Sequence, residues 1–219
     1  MNLNRKIIAI DGPSASGKGT VALRVAAALG WSYLDSGALY RLTALYAQLN
    51  QVQWDDETGI AELAQKLPVV FDGQAVLLDG QDVSEMIRTE HIGMGASTVA
   101  QLPKVRSALL ERQRAFLTEQ GLVADGRDMG SVVFPNALLK VFLTASAHIC
   151  AERRAAQLGL PTQGLAFDRI FADIEARDLA DRQRVAAPLR QLADAELLDT
   201  SNLGIEEAVK KVLDWYRKK

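Results

Sequence analysis

The sequence predicts an α/β fold: a parallel β-sheet core covered by helices on both faces, interrupted by a small antiparallel β insertion. Three observations carry this expectation. Short apolar runs alternate with helical patterns along most of the chain, the rhythm of strands joined by crossover helices. The first apolar run, Ile7 to Ile10, breaks at Asp11-Gly12-Pro13 and is followed by an Ala-rich helical pattern from about Gly17 to Leu29. Between residues 68 and 83 the texture changes to short β-rich runs separated by Asp72-Gly73 and Asp79-Gly80, which read as a meander with tight turns.

Taken in order, Trp31 to Leu34 is a short strand or extended entry, and Ser36 is placed to cap a helix running to about Asn50. A second helix follows Asp55-Asp56. After the meander, helices are expected from Glu90 to Ala100 and from Pro103 to Glu119, with proline at the first helical position and Gly121 at the end. Leu122 to Asp125 and Leu138 to Leu143 are strands. Ser146 starts a helix to about Leu158, 159–164 is a loop, and a long charged helix spans roughly 165–184. Leu197 to Asp199 is a last strand before a closing helix at 205–217.

The chain has 219 residues, 48% of them hydrophobic, which is enough for a sizeable core in one domain with an insertion. A net charge of −2 argues against a nucleic-acid-coating surface. A single cysteine, Cys150, excludes an internal disulfide framework and fits a reducing compartment. No apolar run is long enough for a transmembrane helix, and the N-terminus enters its first strand almost at once. The expected protein is soluble and cytoplasmic, with no membrane or nucleic-acid partner.

Gly12, Gly17 and Lys18 fall at the fixed positions of G-x-x-x-x-G-K, between a strand and a helix. Such a loop turns several backbone N–H groups into one concavity at a helix N-terminus, where they hold phosphate oxygens. Gly12, Pro13, Ser14, Ala15, Ser16, Gly17, Lys18, Gly19 and Thr20 are therefore the candidate phosphate-binding stretch, with Lys18 reaching the β- and γ-phosphates. Gly19, and not Ser or Thr, follows the lysine, so the hydroxyl ligand for magnesium is displaced to Thr20. The G-K-G-T form points to nucleoside monophosphate kinases and away from GTPases, and no N-K-x-D guanine motif is present.

Asp125 ends a strand neighbouring the loop, where a carboxylate orients magnesium or its waters. Arg127 and Asp128 follow, at the carboxyl ends of the strands where open α/β sheets bind ligands. Arg177, Asp181 and Arg184 share one helical face, a set suited to a sugar-phosphate, although Asp173/Arg177 and Asp178/Arg182 also have the spacing of ordinary surface pairs. The two histidines, His91 and His148, have no motif around them. A kinase of a small acceptor, a nucleotide-dependent switch or ATPase, and a pure binding module all remain open on these residues alone.

Four stretches together carry a resemblance. Gly12 to Thr20, Leu34-Asp35-Ser36-Gly37-Ala38-Leu39-Tyr40-Arg41, Asp125-Gly126-Arg127-Asp128-Met129-Gly130-Ser131-Val132-Val133-Phe134-Pro135 and the Arg177/Asp181/Arg184 helix resemble the bacterial cytidylate kinase family, in order and with compatible spacing over nearly the whole chain. The resemblance implies a P-loop kinase core at 1–62 and 101–219, an inserted monophosphate-binding domain at 63–100 and a mobile lid at about 153–164. It implies transfer of a phosphoryl group from ATP to CMP or dCMP with Mg2+, by a monomer. It places Ser36, Arg41 and Arg127 at or near the acceptor phosphate. Ser97, Arg106 and Asp128 take the cytosine edge, Arg177 and Asp181 the ribose, and Arg184 a phosphate. Arg153 and Arg154 resemble lid arginines that reach the donor phosphates, and Lys18, Arg127 and Arg184 form the catalytic set. Cys150 stands where the family pattern leads one to expect another arginine.

Overall fold

The computed structural model describes residues 6–72 and 75–219. In chain order the first half runs β1 (Ile7–Asp11), α1 (Lys18–Leu29), β2 (Ser32–Asp35), α2 (Ser36–Leu49), α3 (Glu57–Gln65), β3 (Val69–Asp72), β4 (Ala75–Leu78), β5 (Gln81–Asp82), α4 (Glu90–Val99) and α5 (Pro103–Arg114). The second half runs β6 (Leu122–Gly126), β7 (Leu139–Thr144), α6 (Ala147–Gln157), α7 (Leu165–Gln183), β8 (Ala195–Asp199) and α8 (Ile205–Arg217). The meander turn at residues 73 and 74 lies outside the described residues.

The chain divides into two compact units, Met1–Leu34 with Phe116–Lys219, and Asp35–Ala115. The first is built on a five-stranded sheet in the order β2-β6-β1-β7-β8. β1 pairs in parallel with β6 on one side and β7 on the other, and β7 pairs in parallel with β8. Both β1 and β6 are buried along their whole length, which is why they read as uninterrupted apolar runs and not as alternating ones. Val21 and Val25 of α1 and Val209 and Val212 of α8 pack with Ile8, Ile10, Val123 and Val141 of the sheet. A smaller cluster joins α6 and α7 through Cys150, Ala151, Ala155, Phe167 and Ile174.

The second unit is helical apart from the antiparallel sheet β3-β4-β5. Its core joins Tyr40, Ala44 and Ala47 of α2 to Ile60, Ala61 and Ala64 of α3, Ala96 and Val99 of α4, and Val105 and Leu109 of α5. The 63–100 stretch expected as the insertion lies inside this unit, together with α2, the rest of α3 and α5.

Two local expectations are corrected. The cap of α2 is Asp35, whose carboxylate accepts the N–H of Ala38 at 2.9 Å; Ser36 is the first helical residue. The helix from Pro103 ends at Arg114 and not at Glu119. The chain there leaves its helix to run alongside β2: Ser32 N–H donates to the carbonyl of Gly121, and Thr118 Oγ1 lies 3.1 Å from Ser32 Oγ.

Candidate active site

The phosphate loop follows β1 directly, and α1 starts at Lys18 with no side-chain cap, so its first N–H groups face the loop concavity. Gly17 sits in the left-handed region, φ 91°, which bends the chain from loop to helix. Ser16 is fully buried and donates to the carbonyl of Pro13 at 3.0 Å, and Lys18 Nζ folds back to the same carbonyl at 3.2 Å. The lysine charge therefore lies over the loop. Thr20 is exposed on the first turn of α1.

Gly19, the residue after the lysine, faces Tyr33 and Asp125. A Cβ there would lie 3.4 Å from Tyr33 Oη and within 3.9 Å of both oxygens of Asp125. These are ordinary contact distances, and the neighbours are a hydrogen-bonded pair, Tyr33 Oη donating to Asp125 Oδ1 at 2.7 Å. Asp125 is buried at the end of β6, and Tyr33 comes from β2 beside it. Among the described residues no group of three or more His, Cys, Asp or Glu could hold a metal by itself. One carboxylate beside a phosphate loop fits magnesium, which keeps several waters and takes its remaining ligands from substrate phosphates.

Arg127, just past β6, is the hub of the acidic and basic groups. Its Nε donates to Asp181 Oδ2 at 2.6 Å and its Nη2 to Ser14 Oγ at 2.9 Å. Burial alone would lower the pKa of this guanidinium, but the charge and hydrogen bond of Asp181, with Asp178 and Asp125 adding to them, raise it overall. Burial likewise opposes the charge of Asp181, yet Arg127 and then Arg184 hold its carboxyl below the usual range. Arg184 is buried at the C-terminus of α7, 3.8 Å from Asp181 and 3.8 Å from Asp128, and its Nε donates to the carbonyl of Ala187 at 2.6 Å. Arg177 is half-buried one turn before Asp181 on α7. The structure thus brings Arg127, Asp128, Asp181 and Arg184 into one cluster against the loop.

Arg153, on α6, donates to the carbonyl of Ser16 at 2.8 Å and to Thr200 at both its hydroxyl and its carbonyl. In this structure it is bonded to the phosphate loop, and Thr200 Oγ1 reaches the Ser16 carbonyl as well. Arg154 is bonded to Gln157 along α6. Cys150 is 1% exposed in the α6–α7 cluster, next to Ala15 of the loop. Its position is core.

In the second unit, Ser36 is buried at the start of α2. Arg41, one turn on, donates to the carbonyl of Ile87 at 2.8 Å. Its guanidinium lies over Gly93 of α4, where a Cβ would stand 3.2 Å from both terminal nitrogens. Ser97 Oγ donates to the carbonyl of Gly93 at 3.2 Å, and Arg106 of α5 stacks over the ring of Tyr40, 5.7 Å from its centre, with one N–H on the carbonyl of Ala100. Contacts through Gly93 and Tyr40 so link Arg41, Ser97 and Arg106 on α2, α4 and α5. His91 lies against Gln48 and Trp54, and His148 against Glu152 and Phe167.

Sequence reasoning missed three residues of the first unit: Asp11, Tyr33 and Asp178. Asp178, read as one half of a surface pair with Arg182, accepts the N–H of Ser14 at 2.8 Å. The signal was present, because Asp178 stands three residues before Asp181 and shares its face of α7.

The model of the cytidylate kinase family matches residues 8–218. The chain belongs to the cytidylate kinase family. Every assigned residue lies within the matched span. The cytidylate kinase of Neisseria meningitidis serogroup B is 72% identical over 216 residues, 98% of this chain and 99% of the relative. That of Chromobacterium violaceum is 57% identical, over 97% of this chain and 96% of the relative, and that of Bordetella bronchiseptica 54%, over 96% and 95%. Among solved structures, an uncharacterized protein from Eubacterium ventriosum is 10% identical with a TM-score of 0.54, over 97% of this chain and 99% of the other; that likeness bears on the fold alone. Among the described residues no helix of this cytidylate kinase family member is long and apolar enough to cross a membrane.

Proposed function

We infer that this chain transfers the γ-phosphoryl group of ATP to the phosphate of CMP or dCMP, giving ADP and CDP or dCDP. Family membership supports the reaction class. The observation that carries the reading is the seat of Arg127, which bonds at once to Ser14 in the phosphate loop and to Asp181 on α7. A guanidinium so placed joins the donor loop to the groups assigned to the acceptor.

An oxygen of the acceptor phosphate attacks the γ-phosphorus while the bond from that phosphorus to the β–γ bridging oxygen breaks, and ADP leaves with the bridging oxygen. The attacking oxygen is already anionic, so no strong general base is called for. Positioning and charge neutralisation supply the acceleration. Gly12 to Thr20 cradle the donor phosphates through backbone N–H groups, and Lys18 swings from the Pro13 carbonyl to the β- and γ-oxygens. Arg127 and Arg184 balance the charge spread over the transferring group. Ser36 and Arg41 hold the acceptor phosphate, Arg177 and Asp181 the ribose, and Ser97, Arg106 and Asp128 the cytosine edge. Arg153 and Arg154 complete the donor contacts, Arg153 from its place against the loop.

Thr20 and Asp125, the latter through water, would hold Mg2+, which when bound neutralises charge on the β- and γ-phosphates. The 153–164 segment acts as a lid that excludes water, and 63–100 serves the monophosphate. The enzyme works as a cytoplasmic monomer on small molecules, with no nucleic-acid or membrane partner.

The test follows the label. With ATP labelled at its γ-phosphorus and CMP present, the label enters the β-position of CDP; label released as inorganic phosphate at the same rate with and without CMP contradicts the reading.

A further inference from the structure

Ser14 lies in the phosphate loop, only 6% exposed, and two protein side chains hold it. Its N–H donates to Asp178 Oδ1 on α7 at 2.8 Å. Its hydroxyl accepts from Arg127 Nη2 at 2.9 Å, and the Nε of the same guanidinium donates to Asp181 Oδ2 at 2.6 Å. The bond from Arg127 Nη1 to the carbonyl of Gly126 is longer, at 3.5 Å. Asp178 and Asp181 stand at i and i+3 on α7 and share one face of it. Two acids of one helix face therefore reach one loop residue, Asp178 directly through the backbone and Asp181 by way of Arg127.

The loop needs such a hold at this point. Ala15, the next residue, is in the left-handed region at φ 54°, which costs a residue with a Cβ on the order of 1 kcal/mol. The N–H of Ser14 belongs to a buried stretch, where a donor without an acceptor is costly. Asp178 supplies that acceptor from another element.

We propose that Asp178 is a positioning residue for Arg127: by accepting the N–H of Ser14 it fixes the loop backbone from which the Ser14 hydroxyl holds the Arg127 guanidinium. The proposal rests on the reading that Arg127 balances the charge of the phosphoryl group passing from ATP to CMP. A guanidinium held strongly at Nε alone turns about that bond. A second anchor at Nη2 fixes its plane, and a fixed donor stabilises developing charge without reorganising. The rival reading is that Asp178 acts by charge alone. Burial lowers the pKa of the Arg127 guanidinium, and the charges of Asp181 and then Asp178 raise it, so Asp178 is close enough to be felt without a contact.

An amide in place of the carboxylate separates the two readings, because its oxygen still accepts the Ser14 N–H and carries no charge. Steady-state constants for ATP and CMP are measured for wild type, Asp178→Asn, Asp178→Ala, Ser14→Ala and the Ser14→Ala/Asp178→Ala double variant. Asp178→Ala is expected to lower kcat roughly tenfold, the worth of one charge-assisted hydrogen bond, with both KM values within about threefold. Ser14→Ala keeps the N–H and removes the acceptor of Arg127, and a comparable loss is expected. In the double variant the two losses do not multiply, because both act on the same guanidinium. Asp178→Asn is expected to keep kcat within about threefold of wild type, since the hydrogen bond survives.

A purely structural role for Asp178 would lower the thermal midpoint of Asp178→Ala and leave its kcat intact. That result overturns the proposal, as do an Asp178→Asn protein as slow as Asp178→Ala and losses that multiply in the double variant. A wild type without CMP-dependent ADP formation overturns the reaction reading and the proposal with it. Should Asp178→Ala not fold, hydrogen exchange at the Ser14 amide decides: protection is expected in wild type and in Asp178→Asn. Exchange there at the rate of an open chain would show that the bond does not hold the loop, and would overturn the proposal.

Discussion

Arg127 and Asp181, 54 residues apart in the chain, form an ion pair at 2.6 Å in which each side chain is only 18% exposed. The pair ties the loop after β6 to α7, and through Ser14 it reaches the phosphate loop. Removing Asp181 would leave a guanidinium largely desolvated with its best partner gone. Asp181→Ala is therefore expected to lower unfolding free energy by about 1–3 kcal/mol, with CMP turnover falling alongside. Denaturant unfolding of the two proteins checks it; equal midpoints and slopes would mean that water replaces the carboxylate at no loss.

Lys18 is half-buried over the phosphate loop, its Nζ on the carbonyl of Pro13 at 3.2 Å, so its loss bears on the loop and its chemistry more than on the sheet core. Lys18→Ala is expected to cut turnover on the order of a hundredfold or more with the thermal midpoint nearly unchanged. A folded Lys18→Ala protein with wild-type turnover would remove the phosphate-loop account.

Much of this site was legible in the sequence, for a physical reason. The phosphate loop and the shared face of Arg177, Asp181 and Arg184 are set by local spacing, and local spacing decides what a turn or a helix face can present. The strands β1 and β6 announced themselves as continuous apolar runs because both of their faces are covered. What stayed hidden are pairings across the fold. Tyr33 meets Asp125 across 92 positions, Asp11 meets Met129 across 118, and Ser14 meets Asp178 across 164. No spacing rule reaches so far, and a surface pairing with Arg182 was an equally good local account of Asp178. The end of α5 was missed because contacts of Ser32 with 118–121, and not a helix-stopping residue, end the helix.

The buried carboxyl of Asp11 carries a signature in pH. Its native value is raised from 3.8 to about 6, so between those limits the native state binds more protons than the unfolded chain. Stability from this group is complete below 3.8 and is lost as pH rises through about 6, a loss on the order of 3 kcal/mol. Asp11→Asn cannot titrate there. The unfolding free energy of wild type minus that of the variant should fall across this window and level off above it; a difference that stays flat throughout would contradict the burial of an ionising group.

Cys150 should behave as a packing residue. Burial, with the charge of Asp178 adding to it and Arg153 and Lys18 opposing, pushes its thiol up to about 11. The native protein is expected to resist iodoacetamide at mildly alkaline pH and to react fully once unfolded. Rapid stoichiometric labelling of the native state would show the α6–α7 cluster to be open.

The most direct test of the central claim is ADP formation from Mg-ATP with CMP, dCMP, UMP, AMP or shikimate, each set against a reaction without acceptor. Turnover confined largely to CMP and dCMP is the result expected from a phosphate loop serving a cytosine-reading acceptor site. Strong turnover with another acceptor would keep the kinase and contradict the roles given to Ser97, Arg106 and Asp128. ADP formation independent of any acceptor would contradict the phosphoryl-transfer account altogether.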